Sequence, residues 1–146
     1  MSESSEHRNL VKLIALDLQE RYPNAVIKAD LQMKPGDPVP RIVNNYRPDV
    51  YAHDKAENFC IIGEAKASGL GSKHTHAQIT SFILHLEEKR SGVFILGAFG
   101  AKSNEAKTLL RFVRRELGLV NTSLQVFDGC DYWTLDSQGG KLWHLS

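Results

Sequence analysis

The sequence predicts an α/β fold: a single domain whose central mixed sheet is flanked by helices. Three observations carry that expectation. Two β-rich stretches, Tyr46 to His53 and Phe59 to Ala67, are separated by the polar run Asp54-Lys55-Ala56-Glu57-Asn58 and read as an antiparallel hairpin. Gly92 to Phe99 is a nearly continuous apolar run, as expected of a central strand buried on both faces. Between and around these stretches lie segments with apolar residues at helical spacing.

The first helix is capped by Ser4 or Ser5, carries Glu6 at the positive end of its dipole, and buries a stripe of Leu10, Leu13, Ile14 and Leu18. Tyr22-Pro23-Asn24 stops it, and Ala25 to Leu31 supplies a first strand. Met33 to Pro40, with Lys34-Pro35-Gly36-Asp37-Pro38, reads as an exposed loop. Thr75 to Arg90 forms a second helix whose buried face is Ile79, Phe82, Ile83 and Leu86; Thr75 and Gln78 match a capping box at its start. His74 and His76 flank its start and read as exposed loop histidines; at i, i+2 they share no helix face, so a zinc site is not expected. Ser103 or Asn104 opens a third helix with a core stripe of Ala106, Leu109, Leu110, Val113 and Leu117, ended by Gly118. Leu124 to Phe127, Tyr132 to Leu135 and Lys141 to Leu145 read as short strands around Asp128-Gly129 and Gln138-Gly139-Gly140 turns. The expected organisation is one domain over 1–146, with a core of about 6–118 and a C-terminal β appendage at 119–146.

A hairpin centred between Ala56 and Glu57 puts Asp49 directly opposite Glu64. Alternation along the strand places Glu64 and Lys66 on one face and Ala65 on the other. Facing carboxylates repel unless something compensates them, and a divalent cation held by oxygen ligands is a natural compensation. The Glu-x-Lys triplet has no weight by itself, because Glu87-Glu88-Lys89 and Glu105-Ala106-Lys107 match it too. Only Glu64-Ala65-Lys66 ends an apolar strand and follows a Pro-Asp, at Pro48-Asp49.

The order of helix, Pro-Asp strand, Glu-x-Lys strand and Gln-bearing helix resembles the PD-(D/E)XK nuclease superfamily over roughly residues 6 to 100. The resemblance implies a restriction-endonuclease-like fold and a nuclease that hydrolyses DNA with Mg²⁺, or Mn²⁺, as cofactor. Asp49 and Glu64 would then be metal ligands, with the Ala65 carbonyl as a third. Lys66 would orient or activate the attacking water and Gln78 would support the site. The helix-one acid of many members corresponds best to Glu6 and less well to Glu20. Small members often dimerise, so a homodimer is a further implied partner. The rival class is a non-catalytic nucleic-acid-binding or assembly module on the same fold.

Composition agrees with a small globular enzyme of 146 residues, 42% hydrophobic and 24% charged. The net charge of +1 confines any nucleic-acid surface to a local patch. The best candidate is the third helix's outer face, Lys107, Arg111, Arg114 and Arg115, joined by Lys73 in the Gly-rich Ser68–Lys73 connection. That connection lacks the Gly-Lys-Ser/Thr of a nucleotide-binding phosphate loop. Trp133 and Trp143 are expected to cover the core. Cys60 and Cys130 lack metal-ligand spacing, and no leader or long apolar span is visible, so no membrane partner and a cytoplasmic location are expected.

Overall fold

The computed structural model describes residues 4–31, 35–56, 58–89, 91–118 and 121–135. The elements run α1 (Ser5–Arg21), β1 (Val26–Ala29), β2 (Val50–Asp54), β3 (Phe59–Ala65), α2 (Lys73–Glu87), β4 (Ser91–Gly97), α3 (Lys102–Leu117), β5 (Thr122–Phe127) and β6 (Tyr132–Leu135). They make one α/β domain. Its six strands form a single mixed sheet in sequence order, β1 to β6. Neighbours are antiparallel except β3–β4 and β4–β5, which are parallel.

The two parallel pairs need crossovers, which α2 and α3 supply. Each face of the sheet buries its own core. On one face Ile79, Phe82, Ile83 and Leu86 of α2 join Ala106, Leu110 and Val113 of α3 over Ile62, Phe94, Leu124 and Val126. On the other, Leu10, Val11, Ile14 and Leu18 of α1 cover Val50, Ala52, Ile61 and Ile95. Gly63 and Gly97 let α1 settle closely: a Cβ on either would stand 3.1 Å from an Ile14 methyl carbon. Burial of each large aliphatic side chain on this face contributes about 1.5–3 kcal/mol.

The hairpin forms in the expected register, with Val50 opposite Gly63, so that Asp49 lies opposite Glu64 one step further on. The first strand is shorter than expected, beginning at Val50. Tyr46 instead closes a tight turn with Val43, with reciprocal backbone bonds of 2.7 and 3.0 Å. Asn44 and Asn45 adopt φ of 47° and 76° there, a conformation Asn tolerates better than most residues. Pro48, which has no N–H to donate, separates that turn from the strand.

Several expectations need correction. Leu13 is 39% exposed, and Val11 takes its place in the buried stripe of α1. Helix α2 starts at Lys73, so His74 and His76 lie in its first turn and not in a loop. The His74 ring packs edge-on 5.7 Å from Tyr46, and His76 Nε2 lies 2.8 Å from Glu116 Oε1. Helix α3 begins at Lys102, ahead of the expected start; its cap position is Ala101, which has no side-chain acceptor, and Ser103, inside the helix, donates its hydroxyl to the Gly100 carbonyl at 2.7 Å. Strands β5 and β6 belong to the main sheet and are not an appendage to it. Trp133 packs against the core as expected. The expected Lys141–Leu145 strand and Trp143 lie outside the described residues. Among the described residues, no helix is long and apolar enough to cross a membrane.

Candidate active site

Strands β3, β4 and β5 all point the same way, and the three helices return against them. The helix N-termini therefore gather at the carboxyl edge of the parallel strands, where ligands generally bind in open α/β sheets. Each helix start sends a side chain to this edge: His7 from α1, Gln78 from α2, and Lys102 from α3, whose ammonium donates to the Ala67 carbonyl. Helix N-termini carry partial positive charge, so three of them bias this edge toward anions.

Asp49 and Glu64 are buried here, 7% and 3% exposed. They are cross-bonded through the hairpin. The Ala65 N–H donates to Asp49 Oδ2 at 2.8 Å, and the Asp49 N–H donates to Glu64 Oε1 at 3.1 Å. Lys66 Nζ lies 3.6 Å from Glu64 Oε2 and donates to Gln78 Oε1 at 2.8 Å. The Lys66 backbone is held by its own N–H bond to the Gly97 carbonyl at 2.9 Å. The result is a chain of four polar side chains, each fixed by a neighbour.

Burial pushes the Glu64 carboxyl well above the usual carboxylate range; the Asp49 charge pushes it further, and Lys66 pulls it back. A buried acid beside a second acid is costly without a compensating cation. Lys66 supplies one positive charge against two carboxylates.

Gln78 is 9% exposed and faces Lys66, so the expected capping box is not made. Ser72 caps α2 instead, its hydroxyl accepting from the Thr75 N–H at 3.0 Å, and Thr75 is buried inside the first turn. With Ser72 one turn earlier, the Gln78 amide is released from capping for the site.

Helix α1 contributes His7 rather than its acids. His7 Nε2 stands 3.1 Å from Asp49 Oδ2, whereas Glu6, half-buried in the same turn, makes no hydrogen bond or ion pair with Asp49, Glu64 or Lys66. Glu20 is exposed near the other end of α1, ~20 Å along the axis from His7. His7 carried a readable signal: with Leu10, Val11, Ile14 and Leu18 it continues the buried stripe toward the N-terminus, while Glu6 sits a residue off it. Lys102, by contrast, gave no local signal, because it meets Ala67 across 35 residues.

The cationic residues expected to bind nucleic acid fall into two groups. Lys73 is exposed at the start of α2, beside the site. Lys107 and Arg111 lie over the Trp133 ring, at 5.5 and 5.1 Å from its centre, and so help to cover β6. Arg114 and Arg115 are in the last turn of α3, at the opposite edge of the sheet from Asp49.

Comparison of the chain with protein-family models, curated proteins and solved structures finds no match.

Proposed function

We propose that this protein is a metal-dependent nuclease of the PD-(D/E)XK type that hydrolyses DNA phosphodiester bonds. The observation that carries the reading is the Asp49–Glu64–Lys66–Gln78 cluster: two buried, facing carboxylates with an amine anchored beside them. The donor set fits a hard cation such as Mg²⁺ or Mn²⁺. Among the described residues no group of three or more His, Cys, Asp or Glu side chains is disposed to hold a metal. A cation here would rest on Asp49 and Glu64 with the Ala65 carbonyl, leaving its other positions to water and substrate, as Mg²⁺ commonly does. Bound there, it would polarise the scissile phosphate and acidify an attacking water.

The chain's own residues perform the remaining work. Lys66, held by Gln78, orients the attacking water and offsets charge that develops on the phosphate. His7 holds one oxygen of Asp49 and so fixes the direction of the other. The helix N-termini and Lys73 draw the phosphate backbone to this edge.

Cleavage of linear, branched and single-stranded DNAs in Mg²⁺ tests the reading. The wild type should cut at least one substrate. Lys66→Ala should lose ~10²–10⁴-fold of that activity, the usual contribution of a positioned acid–base group, while keeping its fold and metal response. A wild type that binds DNA without cutting it would favour a non-catalytic module, and equal cleavage by both proteins would remove Lys66 from the mechanism.

A further inference from the structure

The amino edge of the sheet holds a second polar cleft, of about 220 Å³. Its walls come from four separate segments, each delivering a cation: Lys28 from β1, Arg41 from the segment before β2, Lys55 from the β2–β3 turn and Lys89 from just beyond α2. Lys28 pairs directly with Tyr51 across the sheet, so their side chains share the face that α2 covers, and His53 follows on that face two residues on. Tyr51 is 6% exposed, and its hydroxyl lies 3.3 Å from His85 Nε2. The Arg41 guanidinium stands 5.9 Å from the Tyr51 ring centre.

Charge balance makes this cleft unusual in a chain of net charge +1. Among the described residues, none of the four cations forms an ion pair, and the one acid in the lining, Asp54, engages its Oδ1 with the Ala56 N–H at 3.0 Å. The C-terminal end of α2 offsets roughly half a charge, which leaves the cleft strongly positive. His53 Nδ1 is buried and, among the described residues, has no hydrogen-bond partner. A buried ring nitrogen without a partner is costly, and the four cations, exposed or half-buried, converge with no ion-paired counter-charge among the described residues.

We infer that this cleft binds a phosphate monoester. A dianion with three acceptor oxygens matches several lysines, which act as point charges on phosphate, and an arginine, which can grip two oxygens at once. The volume suits a phosphoryl group with part of its attached sugar. The seven residues of β3 put the cleft ~20 Å from Lys66, so the two sites are separate. The inference is independent of whether the carboxyl edge cuts DNA.

Isothermal titration of the full chain, in a low-salt buffer free of phosphate, tests it. The probes are adenosine 5′-monophosphate against adenosine, and a short single-stranded oligonucleotide with and without a 5′-phosphate. Wild type should bind at least one phosphorylated probe over its unphosphorylated counterpart. Binding of the mononucleotide would identify a free monoester as the ligand, and binding of the oligonucleotide alone would identify a strand end. Arg41→Gln and Lys89→Gln should each weaken the preferred probe about tenfold, the loss of one charge-assisted hydrogen bond. Lys12→Gln, an exposed change of equal charge on α1, should change it less than about twofold. Should either cleft variant melt early, Lys28→Gln and Lys55→Gln, both exposed, take its place with the same expectation. No preference for the phosphorylated probes, or a loss in Lys12→Gln equal to that in the cleft variants, overturns the inference.

Discussion

The two ends of the β2–β3 hairpin hold opposite chemistry. At the carboxyl edge, Asp49 and Glu64 are buried with Lys66 as the cation beside them. At the amino edge, Lys28, Arg41, Lys55 and Lys89 surround an open cleft with one acid. The acidic end is closed and cross-bonded; the basic end is open and largely unbonded. The difference shows how a sheet stores like charge. Where the carboxylates sit within the ladder, backbone N–H groups hold them in place despite their repulsion. Where the cations sit on separate segments, water screens them and long side chains keep them apart.

The largest effect that can break this contrast is expected at Asp49. Mg²⁺ at a hundred times its Kd should stabilise the wild type by about 2.7 kcal/mol, because it binds only the folded state. In a domain of this size ~1 kcal/mol moves Tm by 2–4 °C, so scanning calorimetry resolves the increment. Asp49→Asn should abolish it together with DNA cleavage. An unchanged metal response in that variant would place the cation away from the hairpin.

A smaller effect concerns the buried acid of the same end. The pKa of Glu64 is raised in the folded protein, mainly by burial and then by Asp49. Its contribution to metal-free stability is therefore fully present below the ordinary carboxylate pKa and is lost as pH rises through the folded value. Glu64→Gln mimics the protonated form. Its Tm advantage over wild type, in a chelator, should be small at low pH and grow by a few degrees toward neutrality. An advantage that stayed constant with pH would mean that Glu64 does not titrate over that range.

Weaker still is the expected effect of the α3 cations. Arg111→Ala, Arg114→Ala and Arg115→Ala combined should lower DNA affinity similarly for all sequences. The triple variant should also flatten the salt dependence, by about 0.9 in log–log slope for each phosphate it no longer neutralises. Arg111 also covers Trp133, so the variant's melting curve is recorded alongside. An unchanged slope would assign this face to plain surface or to a protein interface.

Local patterns made much of the fold legible. Apolar spacing located all three helices, and the polar Asp54–Asn58 run fixed the hairpin register that brings Asp49 to Glu64. Less legible was anything decided across distant segments. Thr75 and Gln78 match a capping box as text, yet Ser72 lies one turn earlier and takes the cap, freeing Gln78 for Lys66. Glu6 is the more conspicuous acid, yet the seat of Ile14 between Gly63 and Gly97 orients α1 so that His7 reaches Asp49. The parallel pairing of β5 with β4 was hidden for the same reason: its partner is 30 residues away, and nothing within the strand specifies it.

Anomalous diffraction from a crystal soaked in Mn²⁺ tests the central claim most directly. A peak is predicted between the two carboxylates, within about 2.0–2.6 Å of oxygens from both Asp49 and Glu64. A crystal with full Mn²⁺ access and no peak there, or with its peak on other side chains while the protein still cleaves DNA, would contradict it.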